Sequence, residues 1–278
     1  MDWEGQFNPR AAVKDFEKLT EQRNAAADAV RGKLRATLDV PYGSGEREKV
    51  DIYRPAGDAP APVQVYFHGG YWRGNSRADF PHLTPTFTDA GAVCVLAGYD
   101  LCPTVTLDDI VAQAYRCLAW IHRNIADHGG DPARIYVSGS SAGGHLTAMA
   151  LARDWRQDGL PVDLIKGGAP ITGVYDVAPV LNITVNAEIR LTADMVDRLS
   201  PKDMAPRHGG PVLVAVGGAE TESWIGMSRD YAEMCRNAGC DVEYLEPDGL
   251  NHFTVTASIA DPQSPLAQAM LRQMGLAG

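Results

Sequence analysis

Residues 139–143 read Gly-Ser-Ser-Ala-Gly and place Ser141 at the centre of the pattern G-x-S-x-G. A β-rich run, residues 134–138, precedes the pattern, and a helix-like run, residues 145–151, follows it. A turn this sharp needs glycine at both flanks, because a side chain there would collide with the neighbouring strand or helix. The pattern alone also arises by chance. Its position between a strand and a helix nevertheless predicts that Ser141 is an exposed nucleophile.

A serine hydroxyl becomes a good nucleophile when a base takes its proton and a carboxylate orients that base. Where the serine lies between a strand and a helix, the chain order is serine, acid, histidine. His252 lies in a glycine-containing loop after the last predicted strand, residues 241–245, so it can reach the edge of the sheet where Ser141 lies. We therefore expect His252 to be the base. The other histidines do not combine this chain order with a strand-end position: His68, His82, His122, His128, His145 and His208.

Two glutamates compete for the role of the acid. The predicted strand 212–216 is followed by Gly-Gly-Ala-Glu-Thr-Glu, which offers Glu220 and Glu222 and no aspartate. Glu220 is closer to the strand and would project over the same edge as Ser141. Glu222 can instead begin the next helix, where the helix dipole favours a carboxylate. Glu220 is the predicted acid, and Glu222 is the alternative.

An oxyanion intermediate needs backbone N–H donors, and the sequence offers two sources of them. Ala142, directly after the predicted nucleophile, supplies the first. Gly69 and Gly70 supply the second, because glycine lets the backbone approach a substrate oxygen closely. The alternative is that the two glycines only form a tight turn. Tyr71 and Trp72 follow at once and are predicted to line the substrate pocket, unless one of them packs beneath the loop.

Strands and helices that could position these residues alternate along the chain. Short buried strands of this kind form a mostly parallel sheet with helices on both faces, so the predicted fold class is α/β. The predicted strands are residues 49–53, 63–67, 92–97, 134–138, 162–171, 212–216 and 241–245, and the clearest helices are residues 107–126 and 224–237.

The whole chain, residues 1–278, is predicted to be one domain. Apolar residues at roughly helical spacing predict an amphipathic helix over residues 11–35, whose expected role is packing, within an N-terminal helical segment 1–36. The alternation of strands and helices lapses between residues 173 and 206, which contain several prolines and asparagines. This stretch is too long for a simple connection and is predicted to carry short helices as a cap over the strand ends. A merely decorative insertion is the alternative.

Charge and cysteine usage exclude several classes of protein. The 25 Lys and Arg against 35 Asp and Glu give a net charge of -10, which repels nucleic acid and anionic membrane surfaces. The cysteines are odd in number and lack C-x-x-C spacing, so neither a disulfide framework nor a zinc site is predicted. The N-terminus does not resemble a signal peptide, and no apolar run approaches the ~20 residues of a membrane span. A soluble, cytoplasmic protein without metal or organic cofactor is expected. Its cysteines are Cys94, Cys102, Cys117, Cys235 and Cys240.

Four segments together resemble one branch of the α/β-hydrolase superfamily, the kynurenine formamidases (arylformamidases), which are close to the hormone-sensitive-lipase-type carboxylesterases. They are His-Gly-Gly-Tyr-Trp at 68–72, Gly-Tyr-Asp-Leu-Cys-Pro at 98–103, Gly-Ser-Ser-Ala-Gly-Gly-His at 139–145 and Asn-His-Phe at 251–253. The resemblance extends from about residue 50 to the C-terminus. The chain departs from family members that have aspartate at the acid position, since Glu220 stands there.

The resemblance implies an α/β-hydrolase fold with a small cap and hydrolysis of a small-molecule substrate. That substrate would be a small-acyl ester or an N-formyl aryl amide, cleaved through an acyl-enzyme on Ser141. The Tyr71 and Trp72 pair favours an aryl leaving group. The alternative from another functional class is a non-catalytic receptor that keeps the fold and uses its pocket to bind a ligand.

Overall fold

The computed structural model describes residues 1–57, 60–207 and 209–276. In this part of the chain eight strands form one sheet: β1 (Ala36–Pro41), β2 (Lys49–Tyr53), β3 (Ala61–Phe67), β4 (Val93–Ala97), β5 (Gly130–Ser140), β6 (Ile165–Ile171), β7 (Val212–Ala215) and β8 (Val242–Leu245). Their order across the sheet is β1-β2-β4-β3-β5-β6-β7-β8. Strand β2 is antiparallel to β1 and β4, and the strand pairs from β4 to β8 are parallel.

The apolar runs of the sequence become the middle of the sheet because both faces of these strands are covered. Successive side chains of a strand point to opposite faces. In β3, Val65 and Phe67 pack into the core on one face, whereas Tyr66 packs into the core on the other. In the neighbouring β4, Cys94 and Leu96 share the face of Tyr66. A strand buried on both faces has no polar alternation, which is why these segments are continuously hydrophobic.

Helices flank the sheet on both sides. The α-helices of the described residues are α1 (Trp3–Phe7), α2 (Pro9–Ala12), α3 (Phe16–Val30), α4 (Thr84–Thr88), α5 (Leu107–Asn124), α6 (Ala142–Ala152), α7 (Asn186–Ile189), α8 (Val196–Leu199), α9 (Glu222–Asn237), α10 (Thr254–Ala257) and α11 (Pro265–Gln273). Helices α5, α6 and α9 supply one hydrophobic core, and α4 and α11 supply the other. The predicted fold class, an α/β-hydrolase fold with helices on both faces of a mostly parallel sheet, is confirmed.

Short 3₁₀ turns fill many of the remaining connections. They are Arg77–Asp79, Pro81–Leu83, Ile125–His128, Trp155–Asp158, Ala178–Asn182, Ala193–Met195, Pro201–Asp203 and Ser258–Ala260. The stretch 173–206 therefore consists of three of these turns together with α7 and α8. Short helices were expected there, and they are present.

The N-terminal segment differs from the single helix that was predicted over residues 11–35. It forms α1, α2 and α3 in succession. Asn8 ends α1 in extended backbone and caps α2, its side chain accepting a hydrogen bond of 3.2 Å from the N–H of Arg10. Asp15 begins α3, which ends at Val30. Within the predicted range the break falls at residues 13–15, where Val13 ends α2 in extended backbone, and the apolar spacing does not mark it.

Strand β1 and helix α11 are two of the elements that the sequence analysis did not predict. Strand β1 lies at the sheet edge with little burial, so it carries no clear alternation of apolar and polar residues. Helix α11 does carry a start signal: the side chain of Ser264 accepts from the N–H of Ala267, and Pro265 occupies the first turn. Among the described residues, none of the helices has both the length and the apolar character needed to cross a bilayer.

The parallel arrangement decides where the chemistry-bearing loops meet. Strands β3 to β8 all direct their carboxyl ends to one edge of the sheet. The segments that begin at His68, Ser141 and Thr172 follow β3, β5 and β6 at this edge, and the loops after β7 and β8 begin there too. Residues far apart in sequence are thereby brought side by side.

Candidate active site

Ser141 lies at the junction of β5 and α6 in an unusual backbone conformation, with φ 57° and ψ -116°. A non-glycine residue with positive φ is uncommon, and such strain persists only where surrounding contacts hold it. The N–H of Ser141 donates to the carbonyl of Ile171 at 2.9 Å, and the Ser141 carbonyl accepts from the N–H of His145 at 3.0 Å. The turn is therefore tied to β6 on one side and to α6 on the other. Ser141 lines an open cavity but is only 6% exposed, so the prediction of an exposed serine is corrected: the turn presents it to the cavity and not to the outer surface.

The two flanking glycines have the steric role that the sequence predicted. A Cβ at Gly143 would lie 1.9 Å from the carbonyl oxygen of Phe67, and a Cβ at Gly139 would lie 2.3 Å from the carbonyl oxygen of Gly143. These are backbone atoms, which cannot rotate away as a flexible side chain can. The close approach presses the start of α6 against the end of β3.

His252 and Glu220 form a direct pair. Nδ1 of His252 lies 2.6 Å from Oε2 of Glu220, and the side chains are 6% and 1% exposed. The other carboxylate oxygen, Oε1, accepts a hydrogen bond of 2.8 Å from the N–H of Gly217. His252 lines the same cavity as Ser141. The carboxylate thus holds a proton on Nδ1 and leaves Nε2 of the imidazole ring able to accept one.

Glu222, the alternative acid, lies elsewhere. It is the first residue of α9, and its side chain is 83% exposed. Its nearest charged partner is Arg229, at 3.8 Å. The structure therefore brings Glu220, and not Glu222, to His252.

Thr172 is a member of this cluster that the sequence prediction missed. Its hydroxyl donates to Oε2 of Glu220 at 2.7 Å and lies 2.8 Å from Nδ1 of His252. Its backbone has φ 43°, and its N–H donates to the carbonyl of Ala215 at 2.6 Å. A hydroxyl directly after the strand 165–171, at the edge that holds the other candidates, was the sequence signal that could have found it.

The ring of His252 is also held from its sides. Trp224 meets it edge-on with the ring centroids 4.6 Å apart, and Phe253 does so at 5.4 Å. The loop that carries the histidine is closed by Asn251, whose side-chain oxygen accepts from the N–H groups of Phe253 and Thr254 at 3.0 and 3.1 Å. The orientation of the imidazole ring is thus set by packing as well as by Glu220.

The glycine loop after β3 lies against the serine turn. A Cβ at Gly69 would approach the carbonyl oxygen of Ser140 to 2.8 Å and the Cβ of Ser141 to 3.2 Å. The carbonyl of Gly69 accepts from Nδ1 of His68 at 2.9 Å and from Nδ2 of Asn75 at 3.2 Å. Because a trans peptide is planar, fixing this carbonyl also fixes the N–H of Gly70 in the opposite direction. Gly69 and Gly70 both line the cavity.

His68 supports the glycine loop and is neutral because it is buried. Burial lowers its pKa from 6.5 to about 4, and its Nδ1 must carry the proton because the Gly69 carbonyl only accepts. The ring stacks on Tyr99 at 4.2 Å, and the hydroxyl of Tyr99 donates to the carbonyl of His68 at 2.6 Å. Segments 68–72 and 98–103, which both carry the family resemblance, therefore pack against each other.

Ala142 is the first residue of α6, where backbone N–H groups have no acceptor within the helix. Its N–H follows Ser141 directly and belongs to the same turn. The structure thus brings the three predicted oxyanion donors, Gly69, Gly70 and Ala142, to the immediate surroundings of Ser141.

The side chains of Tyr71 and Trp72 lie in different surroundings. Tyr71 lines the cavity and its hydroxyl donates to the carbonyl of Phe7 at 2.5 Å. Trp72 is fully buried, does not line the cavity, and meets His145 edge-on at 5.0 Å. The prediction that Trp72 lines the substrate pocket is corrected: it is the ring that packs beneath the loop.

Among the described residues, the other histidines make no hydrogen bond to the Glu220 carboxylate. His145 contacts the carbonyl of Leu199 through Nε2 at 2.8 Å, and His122 contacts the carbonyl of Pro132 through Nδ1 at 3.2 Å. His82 lines the cavity, and burial lowers its pKa to about 4. His208, also considered from the sequence, lies outside the described residues.

The cavity has a volume of about 640 Å³ and receives a large part of its wall from the N-terminal segment. Residues from α2 and α3, including Arg10, Phe16 and Arg23, face the loops at the sheet edge. A packing role alone had been expected for this segment. The structure gives it a second role as a wall of the site.

The chain matches the alpha/beta hydrolase fold family over residues 64–256. It is 29% identical to a kynurenine formamidase of Danio rerio over 97% of this chain and 92% of that one. With a kynurenine formamidase of Salmo salar the identity is 31%, over 89% of this chain and 85% of that one. The esterase LipQ of Mycobacterium tuberculosis is 30% identical over 80% of this chain, which spans 58% of LipQ.

Solved structures show the same fold. A structure from Silicibacter sp. superposes with a TM-score of 0.84 at 29% identity, covering 96% of this chain and 98% of that one. The carboxylesterase EstE1, cloned from a metagenomic library, has a TM-score of 0.71 at 23% identity, covering 96% and 99%. The kynurenine formamidase and esterase relatives are named as enzymes, which favours catalysis over the ligand-binding receptor left open by the sequence. The chain is a hydrolase and belongs to the alpha/beta hydrolase fold family, as its sequence motifs predicted.

Proposed function

We propose that the protein is a serine hydrolase that cleaves small-acyl carboxylic esters or N-formyl aryl amides through an acyl-enzyme on Ser141. One observation carries this proposal: a strained serine and a histidine held by a buried carboxylate face one cavity beside a glycine loop. The names of the kynurenine formamidase and esterase relatives support the two substrate classes. An aryl group suits the aromatic side chains that line the cavity, Phe16, Tyr71, Phe80 and Phe253.

In the first half of the reaction, Oγ of Ser141 attacks the carbonyl carbon of the substrate while Nε2 of His252 accepts the hydroxyl proton. Glu220 stabilises the imidazolium ion that forms. The carbonyl oxygen becomes an oxyanion, which receives hydrogen bonds from backbone N–H groups of Gly69, Gly70 and Ala142. The bond to the leaving group then breaks, and the leaving alcohol or amine takes the proton from His252.

In the second half, His252 removes a proton from water, and the resulting hydroxide attacks the acyl carbon on Ser141. The tetrahedral intermediate uses the same oxyanion donors. When the bond to Oγ breaks, His252 returns the proton to Ser141 and the carboxylic acid leaves. For an N-formyl substrate that acid is formic acid, which then releases its proton to solvent as formate forms. The cycle requires only water besides the substrate.

A fluorophosphonate adduct tests the nucleophile directly. The intact protein should gain one adduct, and peptide mapping should place it on Ser141. The matched control is Ser140→Ala, since Oγ of Ser140 instead contacts Oγ1 of Thr256 at 2.5 Å. We expect Ser140→Ala to be labelled and Ser141→Ala not to be. Labelling of a different residue, or of none, would refute the proposal.

Substrate class is tested by measuring kcat/KM for N-formylkynurenine and for short aryl esters such as p-nitrophenyl acetate in parallel. Hydrolysis that disappears in Ser141→Ala is expected. If neither class is turned over by protein that fluorophosphonate labels at Ser141, the substrate assignment is wrong although the nucleophile is correct.

We also propose that residues 1–278 form a single domain in which residues 173–206 act as the small cap. Val185 in this stretch lines the cavity. Its neighbour Thr184 is tied to the N-terminal segment, because the backbone N–H of Thr184 donates to Oε2 of Glu4 at 2.9 Å. Val185→Ala shortens a cap side chain at the cavity, so it should alter KM for bulky aryl substrates more than for p-nitrophenyl acetate.

A cytoplasmic location is part of the proposal. All five cysteines are free, and Cys94, Cys102, Cys117 and Cys235 are buried. Buried thiols without disulfide partners suit a reducing compartment. Fractionation of cells that express the full chain would test this placement.

A further inference from the structure

The cavity at Ser141 is positively charged although the protein as a whole is acidic. Three arginines line it: Arg10, Arg23 and Arg73. No aspartate or glutamate stands among the described residues that form its wall. The net charge of the chain is -10, so this concentration of cations runs against the overall composition. A wall lined by one sign of charge attracts ligands of the opposite sign.

Two of the three guanidinium groups lack a carboxylate partner. Arg73 is paired with Glu188, with Nη1 and Oε1 2.5 Å apart. Arg23 donates only to neutral amide oxygens: Nη1 to Oδ1 of Asn75 at 3.2 Å, and Nη2 to Oδ1 of Asn24 at 3.1 Å. Within the described chain, the structure shows Arg10 with no hydrogen bond or ion pair through its guanidinium group.

Aromatic rings position these two groups. The guanidinium carbon of Arg10 lies 4.7 Å from the centroid of Phe16, and that of Arg23 lies 5.4 Å from the centroid of Phe80. Both rings line the cavity. A guanidinium group over a ring is attracted by the π electrons, yet its N–H donors at the edge stay available.

The three cations also act on one another. The pKa of Arg10 is lowered, first by partial burial and then by repulsion from Arg73 and Arg23, while attraction to Glu188 opposes this shift. All three residues line the same cavity. An anion placed between them would relieve the repulsion and would accept charge-assisted hydrogen bonds.

A short path connects these cations to the reaction centre. Arg23 donates to Oδ1 of Asn75, and Nδ2 of the same side chain donates to the carbonyl of Gly69 at 3.2 Å. Gly69 in turn belongs to the loop beside Ser141. The side chain of Asn75 and the Gly69 loop thus link Arg23 to the serine turn.

We infer that the substrate of this hydrolase carries a carboxylate and that Arg10 and Arg23 bind it. This inference rests on the proposed function, in which Ser141 attacks the ester or amide carbonyl. Carboxylate suits the fork of N–H donors that each guanidinium presents. Arg73, already paired with Glu188, contributes long-range attraction.

Pairs of substrates that differ only in charge test the inference. The first pair is 3-acetoxybenzoate and 3-acetoxybenzamide, with the charge on the leaving group. The second is the p-nitrophenyl ester of hemisuccinate and that of monomethyl succinate, with the charge on the acyl group. In at least one pair, kcat/KM for the anion should exceed that of the neutral ester by about tenfold or more, as expected of a hydrogen bond to a charged group.

Arg10→Gln and Arg23→Gln should each lower that ratio by about fivefold to tenfold, chiefly through KM for the anion. The matched control is Arg236→Gln, which makes the same charge change at an exposed residue in the last turn of α9, away from the cavity. It should keep the ratio of the unmodified protein. Ratios near one in both pairs, or a ratio that survives in the Arg10→Gln Arg23→Gln double variant, would overturn the inference.

Failure of the inference and failure of the proposed function give different results. If neutral esters are hydrolysed and the anions gain nothing, Ser141 chemistry stands and the carboxylate site does not. If no ester is hydrolysed and no fluorophosphonate adduct forms, the proposed function fails. Calorimetric titration with 3-hydroxybenzoate and with 3-hydroxybenzamide then tests the anion site without any turnover. Only the benzoate should bind, and its binding should weaken in Arg10→Gln. Equal binding of the two would refute the carboxylate site.

Discussion

The hydroxyl of Thr172 donates a 2.7 Å hydrogen bond to Oε2 of Glu220, the same oxygen that lies 2.6 Å from Nδ1 of His252. One carboxylate oxygen therefore serves both a hydroxyl and an imidazole, while its partner oxygen is bound by the N–H of Gly217. This arrangement leaves the carboxylate little freedom to rotate away from His252. Thr172 is thus a positioning residue for the proposed acid.

Thr172→Val keeps the shape and the β-branching at φ 43° but removes the hydroxyl. Losing a hydrogen bond to a charged group costs about 1.5–3 kcal/mol, so kcat should fall by roughly tenfold to a hundredfold. KM should change little, because the residue does not line the cavity. Steady-state kinetics with p-nitrophenyl acetate measures both constants. Thr172→Ser should recover most of kcat, and an unchanged kcat in Thr172→Val would contradict the positioning role.

Glu220→Gln and Glu222→Gln form a matched pair that identifies the acid. Glutamine at 220 cannot stabilise an imidazolium ion and can force the wrong tautomer on His252, so kcat should fall on the order of 10³-fold to 10⁴-fold. Glutamine at 222, on an 83% exposed side chain, should leave kcat unchanged. Comparable activity of Glu220→Gln and the unmodified protein would rule out the assignment.

Gly143→Ala should destabilise the protein severely. The added Cβ would lie 1.9 Å from the carbonyl oxygen of Phe67, so the end of β3 and the start of α6 must separate. We expect a loss of about 3 kcal/mol or more in the free energy of unfolding, or no soluble protein. Gly226→Ala is the control: it lies inside α9 with open space around a Cβ, and should stabilise by about 0.5–1 kcal/mol. Urea denaturation of both variants decides the matter, and equal stabilities would contradict the steric argument.

His145 should make stability depend on pH. Burial lowers its pKa from 6.5 to about 4, so between these values the unfolded chain binds a proton that the folded chain excludes. The free energy of unfolding should therefore fall as pH decreases from 6.5 towards 4, by about 1.4 kcal/mol per pH unit for this residue. His145→Gln should reduce that slope, leaving the parts due to His68 and His82, whose pKa values burial lowers in the same way. Urea denaturation at several pH values measures the slope, and an identical slope in His145→Gln would refute the prediction.

Much of the fold and most of the candidate site could be predicted because their signals are local. Apolar runs of strand length mark β3, β4 and β5, and glycines mark the turn at Ser141. The edge strand β1 could not be found in this way, because none of its residues is buried and its sequence has no apolar run or clear alternation. The N-terminal helix was predicted as one piece over residues 11–35 because apolar spacing does not mark the break at residues 13–15.

The sequence by itself determined the chain order of Ser141, Glu220 and His252 and their positions after strands. In a parallel sheet, strand ends share one edge, so this information suffices to bring the three residues together. Only the tertiary structure decided which aromatic ring, Tyr71 or Trp72, faces the cavity, because both occupy the same loop. Only the tertiary structure showed that Thr172 contacts Glu220. It also showed that Arg10 lies in the cavity wall. Contacts between distant segments leave no periodic pattern in the sequence, since they depend on how the loops and the N-terminal helices pack over the sheet.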